Sequence, residues 1–151
     1  PVRIVVDSRA RIPLSSRVLN LDSPARTIVA VTPQASEEKV AQLKRYAEVL
    51  VIPQREGRVD LWVLMEKLGQ MEIMSLLLEG GAEVNASALK AGIVDKVMIF
   101  IAPRLIGGSG SPGPIGGEGI EDLSGAVHLT DVSVERVGED MLVTGRVISN
   151  Q

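Results

Sequence analysis

The stretch TIVAVT at residues 27–32 constrains this chain more than any other. It is short, apolar and rich in β-branched residues, so it reads as a buried strand. The next segment has a different period. Ser36 is placed to cap a helix, Glu37 and Glu38 suit its first turn, and Val40, Leu43 and Ala47 mark one face. Residues 48–52 return to a strand pattern that Pro53 closes. Strand, helix and strand in succession favour a parallel pair joined by a crossover.

The remainder extends the same alternation. Residues 2–6 read as a buried strand, and residues 7–20 as a loop holding Pro13. Asp60 can cap a second helix, with Leu61, Leu64, Met65 and Leu68 at helical spacing and Gly69 near its end. Residues 75–78 suggest a strand running into Glu79-Gly80-Gly81, and residues 82–91 a helix stopped by Gly92. Residues 94–102 are the longest strand candidate. Residues 103–119 form a Gly/Pro/Ser loop, either disordered or a lid that orders on binding. Residues 127–137 and 141–148 read as two strands about a tight turn at 138–140. The expected fold is α/β in one domain: a largely parallel sheet with an antiparallel edge. Right-handed crossovers would put helices on both faces.

Composition removes several classes of function. The chain has no cysteine, which excludes disulfides, thiolate metal sites and cysteine nucleophiles. A single histidine leaves no histidine-rich metal centre. Sixteen Lys and Arg against 19 Asp and Glu give a net charge of -3, which argues against a nucleic-acid partner. One Trp, one Tyr and one Phe give no stacking platform for bases. No apolar run approaches the roughly 20 residues that a bilayer needs, so no membrane partner is expected. A soluble, cytoplasmic protein is expected.

Three strand ends stand out as candidate sites. In LLLEGGA, residues 76–82, an apolar run ends in the carboxylate of Glu79, and two glycines lead into a helix. Amides at such a helix start can hold phosphate, and Glu79 can accept hydrogen bonds from ligand hydroxyls. A tight turn with an ordinary cap would read the same way. In VVDSRAR, residues 5–11, Ser8 can donate to a phosphate, and Arg9 and Arg11 carry charge. Asp7 merely capping its own turn is the plainer alternative. At Ile106-Gly107-Gly108, after Arg104, the backbone leaves room for a flat ligand, although simple flexibility explains two glycines equally well. His128 has no partner motif and reads as structural. No Ser-His-Asp pattern or paired carboxylate is visible, so no catalytic side chain or metal site is assigned. That points to reactivity carried by a cofactor.

Together these segments resemble the C-terminal reductase domain of the bifunctional riboflavin biosynthesis protein RibD. The matching pieces are PVRIVVDSRARIP at residues 1–13, LLLEGGAEVNASAL at 76–89, VDKVMIFIAPRLIGG at 94–108, and the closing hairpin. The resemblance covers essentially the whole chain. It implies a dihydrofolate reductase-like mixed sheet and a homodimer. It also implies NADPH-dependent reduction of 5-amino-6-(5-phosphoribosylamino)uracil to its ribityl counterpart, with hydride delivered to C1 of the opened sugar. By the same resemblance Glu79 contacts substrate. The stretch Gly81, Ala82, Glu83, Val84, Asn85, Ala86 and Ser87 lines NADPH, and the hydroxyl of Ser8 touches it. Arg9, Arg11 and Arg104 remain open as partners for a 2′-phosphate.

The chain also departs from the family pattern. A complete domain of that family starts upstream of Pro1, with a further strand and helix and a D-P-x-L-x-x-R segment for the substrate phosphate. Residues 1–151 are therefore expected to be a partial reductase domain, with a sheet incomplete at its N-terminus. The zinc motifs of the deaminase half are absent. The alternative to a reductase is a non-catalytic dimerisation or nucleotide-binding module.

Overall fold

A computed structural model describes residues 1–108, 110–111 and 113–148. The chain divides into two compact units, Pro1–Leu76 and Leu77–Gln151.

The first unit is built on a parallel sheet. β1 (Arg3–Val6), β2 (Thr27–Val31) and β3 (Glu48–Val51) lie in that order, with β2 central. The register aligns Val5, Val29 and Val49 across all three strands. Every residue of β2 is buried, which is why its sequence is continuously apolar rather than alternating. Val29 and Val31 pack with Leu43, Leu19 and Ala10 in one core cluster, joined by the half-buried Val5, Val40 and Val49. Leu43 comes from α1 (Glu37–Leu43), which Ser36 caps by accepting from the Lys39 amide. α1 is thus the crossover between β2 and β3 that the sequence pattern requires.

Two short strands, β4 (Gln54–Arg55) and β5 (Arg58–Val59), form a ribbon around Glu56-Gly57, both at positive φ. Sequence reading had no hairpin here, because strands of two residues carry no periodicity. Asp60 then caps α2 (Leu61–Gln70), its carboxylate accepting from the Trp62 and Val63 amides. Leu61, Leu64 and Leu68 are the buried face of α2, as their spacing predicts.

The second unit contains α3 (Ala82–Lys90) and three antiparallel strands, β6 (Lys96–Ile101), β7 (Leu129–Val137) and β8 (Asp140–Val147). β8 is central, in the order β6-β8-β7. The β7–β8 hairpin turns at Gly138-Glu139, closing on the Val137–Asp140 pair. A bulge between Thr130 and Ser133 holds Asp131 at positive φ.

Two expectations need correction. Residues 75–78 form no strand; Leu77 is 74% exposed there. An apolar run becomes a strand only where a neighbour takes its backbone groups, and no ladder includes this one. In addition, β7 with nine residues is longer than β6 with six.

Candidate functional site

Ser8 lies two residues past the carboxyl end of β1 and is held by three hydrogen bonds. Its carbonyl accepts from the Thr32 amide at 3.0 Å and from the Thr32 hydroxyl at 2.8 Å. Its Oγ accepts from the Val59 amide at 3.1 Å. The hydroxyl proton of Ser8 is left to donate elsewhere. Asp7 beside it binds the Ile12 amide through Oδ2 at 2.7 Å. That is the capping role left open by the sequence, so Asp7 serves the turn. Ala10 completes this turn at φ 54 and is buried. Arg9 and Arg11 are exposed.

Glu79 lies in the second unit, two residues before Gly81, and its side chain is exposed. Gly80 and Gly81 have φ of 144° and 88°, backbone states that L side chains rarely adopt. A Cβ on Gly80 would meet nothing within 4 Å, so the backbone there is open to close approach. Gly81 is the N-cap of α3 and supplies no side-chain cap. The helix therefore begins with amides that no capping side chain covers. These features leave the Gly80–Gly81 backbone open to a ligand phosphate.

α3 and its N-cap gather seven of the eight expected cofactor residues, but they are not equivalent. Ala82, Val84, Asn85, Ala86 and Ser87 are half-buried, and Gly81 and Glu83 are exposed. Ser87 already donates its hydroxyl to the Glu83 carbonyl at 2.8 Å. Glu83 accepts from the Gly117 amide at 3.1 Å, and Asn85 donates to the Pro114 carbonyl at 2.8 Å. Sequence reading did not foresee that residues 114–117 would lie on α3. The one available signal was the third pair of adjacent glycines, Gly116-Gly117.

Gly107 and Gly108 both have positive φ, and Ser111 donates its hydroxyl to the Gly107 carbonyl. Leu105 and Ile106 beside them are fully or almost fully exposed. His128 is exposed just before β7, with its carbonyl accepting from the Ile148 amide. Two shallow concavities of the first unit, about 330 and 500 Å³, are lined by none of the expected site residues. Ser8 belongs to the first unit, whereas Glu79 and the α3 residues belong to the second. None of the described helices is long and apolar enough to cross a membrane.

The fold is mixed α/β, of the kind found in dihydrofolate reductase-like proteins. A family model described as the RibD C-terminal domain matches residues 1–143, and the chain belongs to that family. It is 47% identical over 150 residues to the riboflavin biosynthesis protein RibD of Actinobacillus pleuropneumoniae, covering 99% of this chain and 40% of that protein. It is 44% identical over 143 residues to the 2,5-diamino-6-ribosylamino-4(3H)-pyrimidinone 5′-phosphate reductase of Methanothermobacter thermautotrophicus, covering 95% of this chain and 64% of that one. The chain thus spans under two-thirds of the length of either relative. Among solved structures, the Saccharomyces cerevisiae riboflavin biosynthesis reductase Rib7 superposes with a TM-score of 0.75 at 22% identity, over 98% of this chain and 65% of that one. Acinetobacter baumannii RibD gives 0.74 at 21% identity, over 98% of this chain and 38% of that one. At these identities the two structures speak to the fold alone.

Proposed function

We propose that this chain is the reductase part of a riboflavin-biosynthetic enzyme. The reaction is the NADPH-dependent reduction of 5-amino-6-(5-phosphoribosylamino)uracil to 5-amino-6-(5-phosphoribitylamino)uracil. The observation that carries this reading is the family match over residues 1–143, joined to the two positive-φ glycines that open α3. The relative in Methanothermobacter is named for a diaminopyrimidinone analogue of the same kind, a ribosylamino-pyrimidine 5′-phosphate. That makes it the second substrate to try.

NADPH would supply the hydride; the chain's residues bind and orient. Glu79 accepts hydrogen bonds from sugar hydroxyls, which an ionised carboxylate does without competing as a donor. The start of α3, from Gly81 through Ala82, Glu83, Val84, Asn85 and Ala86 to Ser87, borders the dinucleotide, directly or through the segment packed on it. Ser8 of the first unit, fixed by Val59 and Thr32, is assigned a cofactor contact by the family resemblance, through its hydroxyl proton. The working form is proposed to be a cytoplasmic homodimer.

The test is titration of NADPH into the full-length protein, followed by turnover of the two pyrimidine substrates. Binding of NADPH and reduction of either substrate is expected. Absence of both binding and turnover would overturn the reading.

A further inference from the structure

The glycine-rich segment at residues 113–117 makes a set of directed contacts with the first turns of α3, all within the second unit. The Gly116 amide donates to the Ala82 carbonyl at 2.9 Å. The Gly117 amide donates to Glu83 Oε1 at 3.1 Å, and Asn85 Nδ2 donates to the Pro114 carbonyl at 2.8 Å. The approach leaves little room for a side chain. A Cβ on Gly116 would sit 2.8 Å from Glu83 Oε1 and 3.1 Å from the Ala82 carbonyl carbon. One on Gly117, at φ 79, would sit 3.2 Å from the Ala86 Cβ. At Gly116 the two backbones bond to each other directly.

We propose that Glu83 and Asn85 are positioning residues that latch this segment onto α3, and that they act on the dinucleotide through it rather than by touching the dinucleotide. Three features support this. The polar atoms that Glu83 and Asn85 turn to the segment are committed to backbone groups at ordinary hydrogen-bond distances. The latch contacts Ala82, the residue next to Gly81, so it forms a wall beside the proposed dinucleotide backbone site. A carboxylate in the first turn of a helix also suits the helix dipole but repels phosphate. Accepting the Gly117 amide gives Glu83 a favourable role that a direct contact with phosphate would not.

The part of this inference that concerns the dinucleotide rests on the proposed function; the latch does not. The experiment separates them by measuring amide hydrogen exchange at Gly117 and NADPH affinity on the same full-length protein. Glu83→Ala is expected to speed exchange at Gly117 and weaken NADPH binding, each by about tenfold. Glu83→Gln keeps an oxygen acceptor and should restore both. Unchanged exchange in Glu83→Ala overturns the latch. Faster exchange with unaltered affinity overturns the positioning role. Failure of Glu83→Gln to restore affinity after restoring protection would show that the charge itself is needed, and would also overturn it. If the unaltered protein protects Gly117 but binds no NADPH, the latch stands and the functional reading falls, taking the positioning role with it.

Discussion

Ser8 and Glu79 are held in opposite ways, and their substitutions should separate accordingly. Ser8 Oγ is the acceptor for a backbone amide of β5, so Ser8→Ala leaves the Val59 amide without that partner. A loss of about 1 kcal/mol in stability is expected, read as a lower denaturant midpoint at constant slope, together with weaker NADPH binding. Glu79 is exposed and has no hydrogen bond or ion pair with another described residue. Glu79→Gln should therefore leave the melting temperature where it is. Roughly tenfold lower kcat/KM for the sugar substrate is expected, with NADPH affinity kept. If neither turnover nor affinity moves, the assignment of Glu79 is wrong. Asp122 offers a pH test. Hydrogen bonds from the backbone and side chain of Ser124 hold its carboxyl below the ordinary value of 3.8. A lowered carboxylate stabilises the folded turn in full above the ordinary value, and that contribution is lost as pH falls through the lowered one. The Ser124 amide resonance should shift only in that acid range, and a shift centred near neutrality would contradict the cap.

At the scale of elements, α3 depends on glycine geometry and α1 on a single buried leucine. Gly81→Val puts a β-branched side chain at φ 88, within 4 Å of Val84. About 1–2 kcal/mol of local strain is expected, with NADPH affinity falling more steeply than overall stability. Leu43→Ala removes a fully buried side chain from the β2 core cluster, and about 2–5 kcal/mol should be lost in chemical denaturation. A change below about 1 kcal/mol would mean that α1 does not close the core as described. These two elements also show what sequence can reveal. TIVAVT, the Ser36 cap, the leucine spacing of α2 and the Gly138 turn are local patterns, and each element formed where its pattern lay. The 75–78 strand failed because pairing is decided by a partner elsewhere in the chain. The β4–β5 ribbon escaped because two-residue strands have no period to read. At the site, the glycines before α3 were legible as punctuation. The Glu83–Gly117 contact spans 34 residues, and the Gly116-Gly117 pair signals a close approach without saying to what.

For the molecule as a whole, the two units present different problems of burial. In the first, β2 is wholly buried and its core cluster is continuous. In the second, the strands keep much apolar surface: Phe100 is 57% and Val134 63% exposed. Phe100 and Leu142 are register partners, and so share a face, yet Leu142 is buried and Phe100 is not. Apolar side chains on the two outer strands of a small sheet are costly in water and favour association. The proposed homodimer would relieve that cost, and the consequence is thermodynamic rather than only hydrodynamic. Where folding and association are coupled, mass action makes the melting temperature rise with protein concentration. The full-length protein should therefore sediment at twice its chain mass, and its melting temperature should climb over a hundredfold range of concentration. A chain that sediments as a monomer throughout, with a melting temperature independent of concentration, would refute the homodimer. The apolar strands of the second unit would then be a stable exposed surface of a single chain.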